Sequence, residues 1–164
     1  MTQRKSLEPG AVRRVSVTLR AILASALLVT ALARPAAAQV SLGCLDGQRL
    51  SEGDLARGTT IVVLWASWSP RSRDIVERVN ALASRWGGSA RVVTVSFQED
   101  ARAVEEFLAG KRMAAPVCLD SDGTFSRKYN LAHLPGLLVV KDGQPAYRGK
   151  LPDDPDRVIA GLLR

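Results

Sequence analysis

Residues 59–66 read TTIVVLWA. The run is apolar, rich in β-branched side chains and free of polar alternation, so it describes a strand buried on both faces. A strand of that kind needs cover above and below. Following Ser69-Pro70, a helix cap and first-turn proline, the residues Ile75, Val79, Leu82 and Trp86 recur at spacings of four, three and four. They make one apolar helical face, closed by Gly87-Gly88. Residues 91–97, RVVTVSF, predict a second buried strand, and Asp100 opens another helix with Val104, Phe107 and Leu108 on one side.

The remainder continues the alternation. Residues 116–119 predict a short strand, 120–123 (DSDG) a turn, 125–129 a short helix and 137–140 (LLVV) a strand. Lys141-Asp142-Gly143-Gln144 has the composition of a hairpin turn leading to a strand at 146–148. Asp154-Pro155 caps a closing helix with Val158, Ile159 and Leu162. Upstream, residues 45–50 suggest a small hairpin and Ser51-x-x-Asp54 a capped turn. The order predicts an α/β sandwich, a mixed central sheet flanked by helices.

The first 38 residues are read as a signal peptide and excluded from that fold, leaving 39–164 as one domain. Arg4, Lys5, Arg13, Arg14 and Arg20 form a basic start, followed by the apolar run AILASALLVTALA at 21–33. That run is too short to span a bilayer, and Ala36-Ala37-Ala38 offers small residues for cleavage. The expectation is an exported protein of the periplasm or extracytoplasmic space, with no stable membrane insertion after cleavage. Ser-Leu-Gly-Cys at 41–44 resembles a lipoprotein cleavage box but lies well beyond the apolar core. The leader carries six basic residues and one acidic one, so the whole-chain +7 falls to 17 − 15 = +2 in the remainder. The basic balance therefore gives no case for nucleic-acid binding.

Two cysteines, Cys44 and Cys118, both follow the leader. In an oxidising compartment they are a disulfide candidate, while Cys118 between Val117 and Leu119 also reads as a small buried apolar residue. Two distant cysteines and a single histidine, His133, lack metal-ligand spacing, so neither a metal nor a cofactor is expected.

Residues 65–73 read WASWSPRSR, a Ser-x-x-Ser with proline just inside it. Together with LDG at 45–47, PVCLD at 116–120 and YNLAHLP at 129–135, this resembles the thioredoxin-like superfamily. More narrowly it is similar to the exported TlpA/ResA-type thiol–disulfide oxidoreductases, which include cytochrome c maturation proteins. The likeness runs from about Leu42 to Leu163. It implies a thioredoxin-like sandwich with an N-terminal hairpin and an inserted helix and strand within 100–120. In that family the first cysteine of a Cys-x-x-Cys is a nucleophile at a helix N-terminus, where unpaired N–H groups favour thiolate, and the second resolves the mixed disulfide. Ser69, Pro70, Arg71 and Ser72 occupy those places here. A serine hydroxyl stays protonated at neutral pH and forms no disulfide. Thioredoxins carry an acidic residue in the preceding strand, where Val63 stands in this chain. The expectation is a degenerate, redox-inactive site with no catalytic residue.

The family also implies a cis proline at 135 against this site, with the preceding residue's backbone pairing with an extended partner segment. Strand addition of that kind needs no thiol. Trp68, His133, Leu134 and Pro135 are thus the candidate binding residues, and another exported or envelope protein the expected partner. Ser69 reads as an N-cap. A Ser69–His133 nucleophile pair lacks an evident orienting acid or oxyanion hole. The alternative reading is a cell-envelope redoxin, acting through Cys44 and Cys118 or carrying serines in place of active-site cysteines.

Overall fold

The computed structural model describes residues 39–164; the expected leader and its cleavage point lie outside the described residues. A two-stranded antiparallel hairpin opens the fold, β1 (Ser41–Gly43) and β2 (Arg49–Ser51), with Leu42 opposite Leu50. Helix α1 (Glu52–Leu55) follows at once because Ser51 and Asp54 form a capping box, each side chain bonding the other's backbone N–H.

The main sheet has five strands in the order β5-β4-β3-β6-β7. These are β3 (Thr59–Trp65), β4 (Arg91–Phe97), β5 (Val117–Asp120), β6 (Gly136–Lys141) and β7 (Gln144–Lys150). Strands β3, β4 and β5 run parallel, β6 runs antiparallel to β3, and β7 runs antiparallel to β6. The other helices are α2 (Ile75–Trp86), α3 (Ala101–Leu108), α4 (Thr124–Lys128) and α5 (Pro155–Leu162).

Alternation along β3 explains the sandwich. Ile61, Val63 and Trp65 point to one face, where Val79 and Leu82 of α2, Val104 of α3 and Ile159 of α5 meet them. Val62 and Leu64 point to the other, against Leu50, Leu55 and Phe125. All five are essentially inaccessible to water, and burying a side chain of this size is worth about 1.5–3 kcal/mol. A central strand covered on both faces must read as an unbroken apolar run.

Three local features differ from the sequence expectation. Strand β7 extends beyond 146–148 in both directions, hidden by polar residues along an exposed edge. Pro145 sits beside the bulge at Val139/Val140, where an edge strand tolerates a residue with no N–H to give. Gly87 closes α2 with ordinary helical dihedrals, not through a left-handed turn. A Cβ there would meet the Ala83 carbonyl oxygen at 2.6 Å, so close backbone approach is what requires glycine.

Candidate functional site

The site lies at the carboxyl end of β3. Its chain turns at once after Ala66, whose carbonyl accepts from Ser69 N–H at 3.1 Å. Pro70–Ser72 then form one 3-10 turn, and α2 begins only at Ile75. This corrects the expectation of a helix opening at Ser69. Ser69 does stand at the N-cap position, but its hydroxyl makes no capping bond. The Ser72 N–H that such a cap would receive donates instead to the Ser69 carbonyl, at 2.9 Å.

The two motif serines sit in dry surroundings. Ser69 is buried, and Ser72 has no exposed surface at all. The Ser72 Oγ has no hydrogen-bond partner within the protein, nor does Trp65 Nε1 nearby in sequence. Trp65 is core, its ring 5.3 Å from that of Phe107. A buried hydroxyl with no partner loses its hydration for nothing, whereas a thiol there would behave as a small hydrophobe. Val63, in the place of the family's acidic residue, is fully buried and pairs with Leu137 and Thr94.

The second wall is the loop before β6. The Leu134-Pro135 peptide is cis. Gly136 pairs with Leu64, which brings Pro135 to the same end of β3 as the Ser69 turn. Leu151 N–H holds the Pro135 carbonyl at 3.0 Å. A Cβ on Gly136 would meet the His133 carbonyl oxygen at 2.8 Å and Leu64 Cβ at 3.5 Å, so only glycine lets the loop fold this closely onto β3. Ala132 and His133 are exposed and Leu134 is half-buried. The backbone groups of these three residues make no hydrogen bond among the described residues. Pro135 itself is buried. No hydrogen bond joins Ser69 to His133.

One functional element had no sequence signal. Glu99, buried just beyond β4, accepts from Ser67 N–H at 3.1 and 2.9 Å, from the Ser67 hydroxyl, and from Ser96 Oγ at 2.6 Å. Gln98 takes a left-handed φ of 54° immediately before it, and its N–H is held by the Asp120 carbonyl at 3.0 Å. That uncommon turn aims the carboxylate back at Ser67. The clamp leaves Trp68, the next residue, projecting outward: it is 59% exposed and the one large hydrophobic so exposed among the described residues. Arg71 and Arg73, three and five residues further on, are also exposed.

Cys44 and Cys118 are joined as a disulfide with Cα atoms 3.7 Å apart, where an isolated antiparallel bridge ties the start of the hairpin turn to β5. Cys118 is fully buried and Cys44 nearly so. Among the described residues there is no group of three or more potential metal ligands, and no helix long and apolar enough to cross a membrane.

Residues 34–148 match the AhpC/TSA family. The chain belongs to that family. Among curated relatives, this AhpC/TSA chain is similar to the sporulation thiol-disulfide oxidoreductase A of Bacillus subtilis (strain 168). The two are 25% identical over 87 residues, 51% of this chain and 53% of the relative. The chain thus matches about half the length of that protein. Solved structures confirm the thioredoxin-like fold. StoA from Bacillus subtilis gives a TM-score of 0.58 at 21% identity, over 68% of this chain and 86% of that one. The exposed lipoprotein thioredoxin Etrx1 of Streptococcus pneumoniae gives 0.66 at 18% identity, over 76% and 98%. The expected sandwich and the thioredoxin-like thiol–disulfide oxidoreductase relationship both stand.

Proposed function

We propose that this AhpC/TSA chain is an exported, non-redox thioredoxin-fold protein. Its degenerate site binds an extended segment of another envelope protein, in an assembly or maturation role in the periplasm or extracytoplasmic space. The observation that carries this reading is the combination of two hydroxyls at the Ser69 and Ser72 positions with the backbone frame kept around them, Val63 apart. The frame includes a buried Pro135, an outward Trp68 and an unpaired backbone at 132–134. Unpaired N–H and C=O groups beside an exposed aromatic suit strand addition, in which main-chain bonds give affinity and side chains give specificity. Export is supported by the basic start and short apolar run before residue 39.

A redoxin role through Cys44–Cys118 is the rival reading, because the two are bonded. Their burial argues against it, since exchange requires a thiolate to reach a sulfur. Insulin reduction by the protein, with dithiothreitol as electron source, separates the two. The binding reading expects no turnover above the reagent alone, and turnover would overturn it.

A further inference from the structure

We propose that Gln39 is a modification site: once the leader is removed after Ala38, the new N-terminus closes on itself as a pyroglutamyl lactam. This rests on the export reading above and concerns the chain end that export creates. Ala36-Ala37-Ala38 supplies small residues for cleavage, and glutamine is the residue directly after them. In the reaction the uncharged Gln39 α-amine attacks its own side-chain carboxamide carbon. A bond forms from that nitrogen to Cδ, the bond from Cδ to Nε2 breaks, and Nε2 leaves as ammonia with one proton from the amine. No electrons change hands and no co-reactant is needed. An α-amine ordinarily titrates at about 8, so a substantial fraction is uncharged and nucleophilic near neutral pH.

The fold leaves Gln39 free to react and fits the product. Its hold on the chain begins one residue later, where Val40 is buried and its N–H donates to Glu52 Oε1 at 2.6 Å. Gln39 itself is exposed, precedes β1, and makes no side-chain hydrogen bond among the described residues. Its carboxamide can therefore swing back to the amine. The ring takes its atoms from Gln39 alone, so the Val40 N–H and its bond to Glu52 are kept. The same Glu52 oxygen also accepts from the Lys128 ammonium, so losing the terminal positive charge strands no carboxylate there. The position is specific, because cleavage one residue to either side would expose Ala38 or Val40, neither of which carries a carboxamide.

The test expresses the whole chain, leader included, in a bacterial host and recovers the exported protein. Intact mass and the first peptide are read at recovery and after several days of warm incubation at neutral pH. The expected end point is a chain running from Gln39 to Arg164 and lighter than its disulfide-bonded sequence by one ammonia, with no terminal amine left to label. Gln39→Asn is one methylene shorter and would need a strained four-membered ring, so it should keep its full mass and its terminal amine. The same ammonia loss in Gln39→Asn would place the reaction elsewhere and overturn the assignment. A chain that starts at Gln39 and holds its amine throughout would overturn the lactam and leave export standing, as would exported protein starting at another residue. A leader still in place on all of the protein would overturn both.

Discussion

Ser67 and Glu99 stand 32 residues apart in sequence and are bonded through both the Ser67 N–H and its hydroxyl. The pair locks the turn leaving β3 to the turn leaving β4. Trp68 projects outward from the locked side, so a buried carboxylate under a half-buried serine fixes the presentation of the proposed contact residue.

Removing the carboxylate should be costly. Glu99→Ala leaves the Ser67 N–H and the Ser67 and Ser96 hydroxyls without their acceptor in a buried place. A loss of about 2–3 kcal/mol is expected from denaturant titration. Because Ser67 and Glu99 act together, the Ser67→Ala/Glu99→Ala double variant should be less destabilised than the sum of the singles. Strict additivity would show that the bonds do not couple the turns.

Ser72 should behave in the opposite sense. Its Oγ is fully buried and has no partner in the protein. Ser72→Ala removes an unsatisfied hydroxyl and should raise stability by about 1 kcal/mol, seen as a higher denaturant midpoint at unchanged slope. A fall of similar size would mean the hydroxyl contributes to the fold.

Some of this architecture is legible in the chain and some is not. Strands β3 and β4 announce themselves because a strand covered on both faces must be apolar throughout. The Ser51–Asp54 capping box and the helix caps Asp100 and Asp154 are local patterns, readable without knowing the fold. The cis Leu134-Pro135 peptide is implied by the family resemblance alone, since nothing in the residue types themselves separates cis from trans. Glu99 was invisible. Its partners are brought to it by the parallel register of β3 and β4 and by the left-handed turn at Gln98, neither of which a linear pattern encodes. Ser69 misled because serine before proline reads as a helix cap, while the backbone had already taken the donor the cap requires.

Acid should loosen the N-terminal hairpin first. Glu52 is held below the usual carboxylate range by its bond from the Lys128 ammonium and by Val40 N–H. Asp54 is held low by the Ser51 hydroxyl and N–H, with Arg91 adding attraction. Both groups have depressed folded values, so their stabilisation is present above the unfolded values of about 4 and is lost as pH falls through the folded ones. Unfolding midpoints should therefore drop on going from about pH 5 to below 4, and Glu52→Gln/Asp54→Asn should flatten that dependence. An unchanged slope in the double variant would remove these two groups as its source.

The Cys44–Cys118 bridge closes a separation of 74 residues and pins the hairpin to β5. Cys44→Ala/Cys118→Ala should lower stability by about 2–4 kcal/mol in denaturant titration while leaving the Trp68 surface able to bind peptide. Loss of binding in a variant that remains folded would tie the bridge to the site instead.

The most direct test of a thioredoxin frame without its sulfur is to restore the sulfur. In Ser69→Cys/Ser72→Cys the 3-10 turn that carries the Ser72 N–H to the Ser69 carbonyl should place the two thiols for bonding to each other. Peptide mapping after incubation with oxidised glutathione should find a 69–72 disulfide beside the existing 44–118 one, and the reduced variant should turn over insulin where the unmodified protein does not. A folded double variant whose introduced thiols stay unbonded to each other would contradict the account, because the frame would then have changed in geometry as well as in residue type.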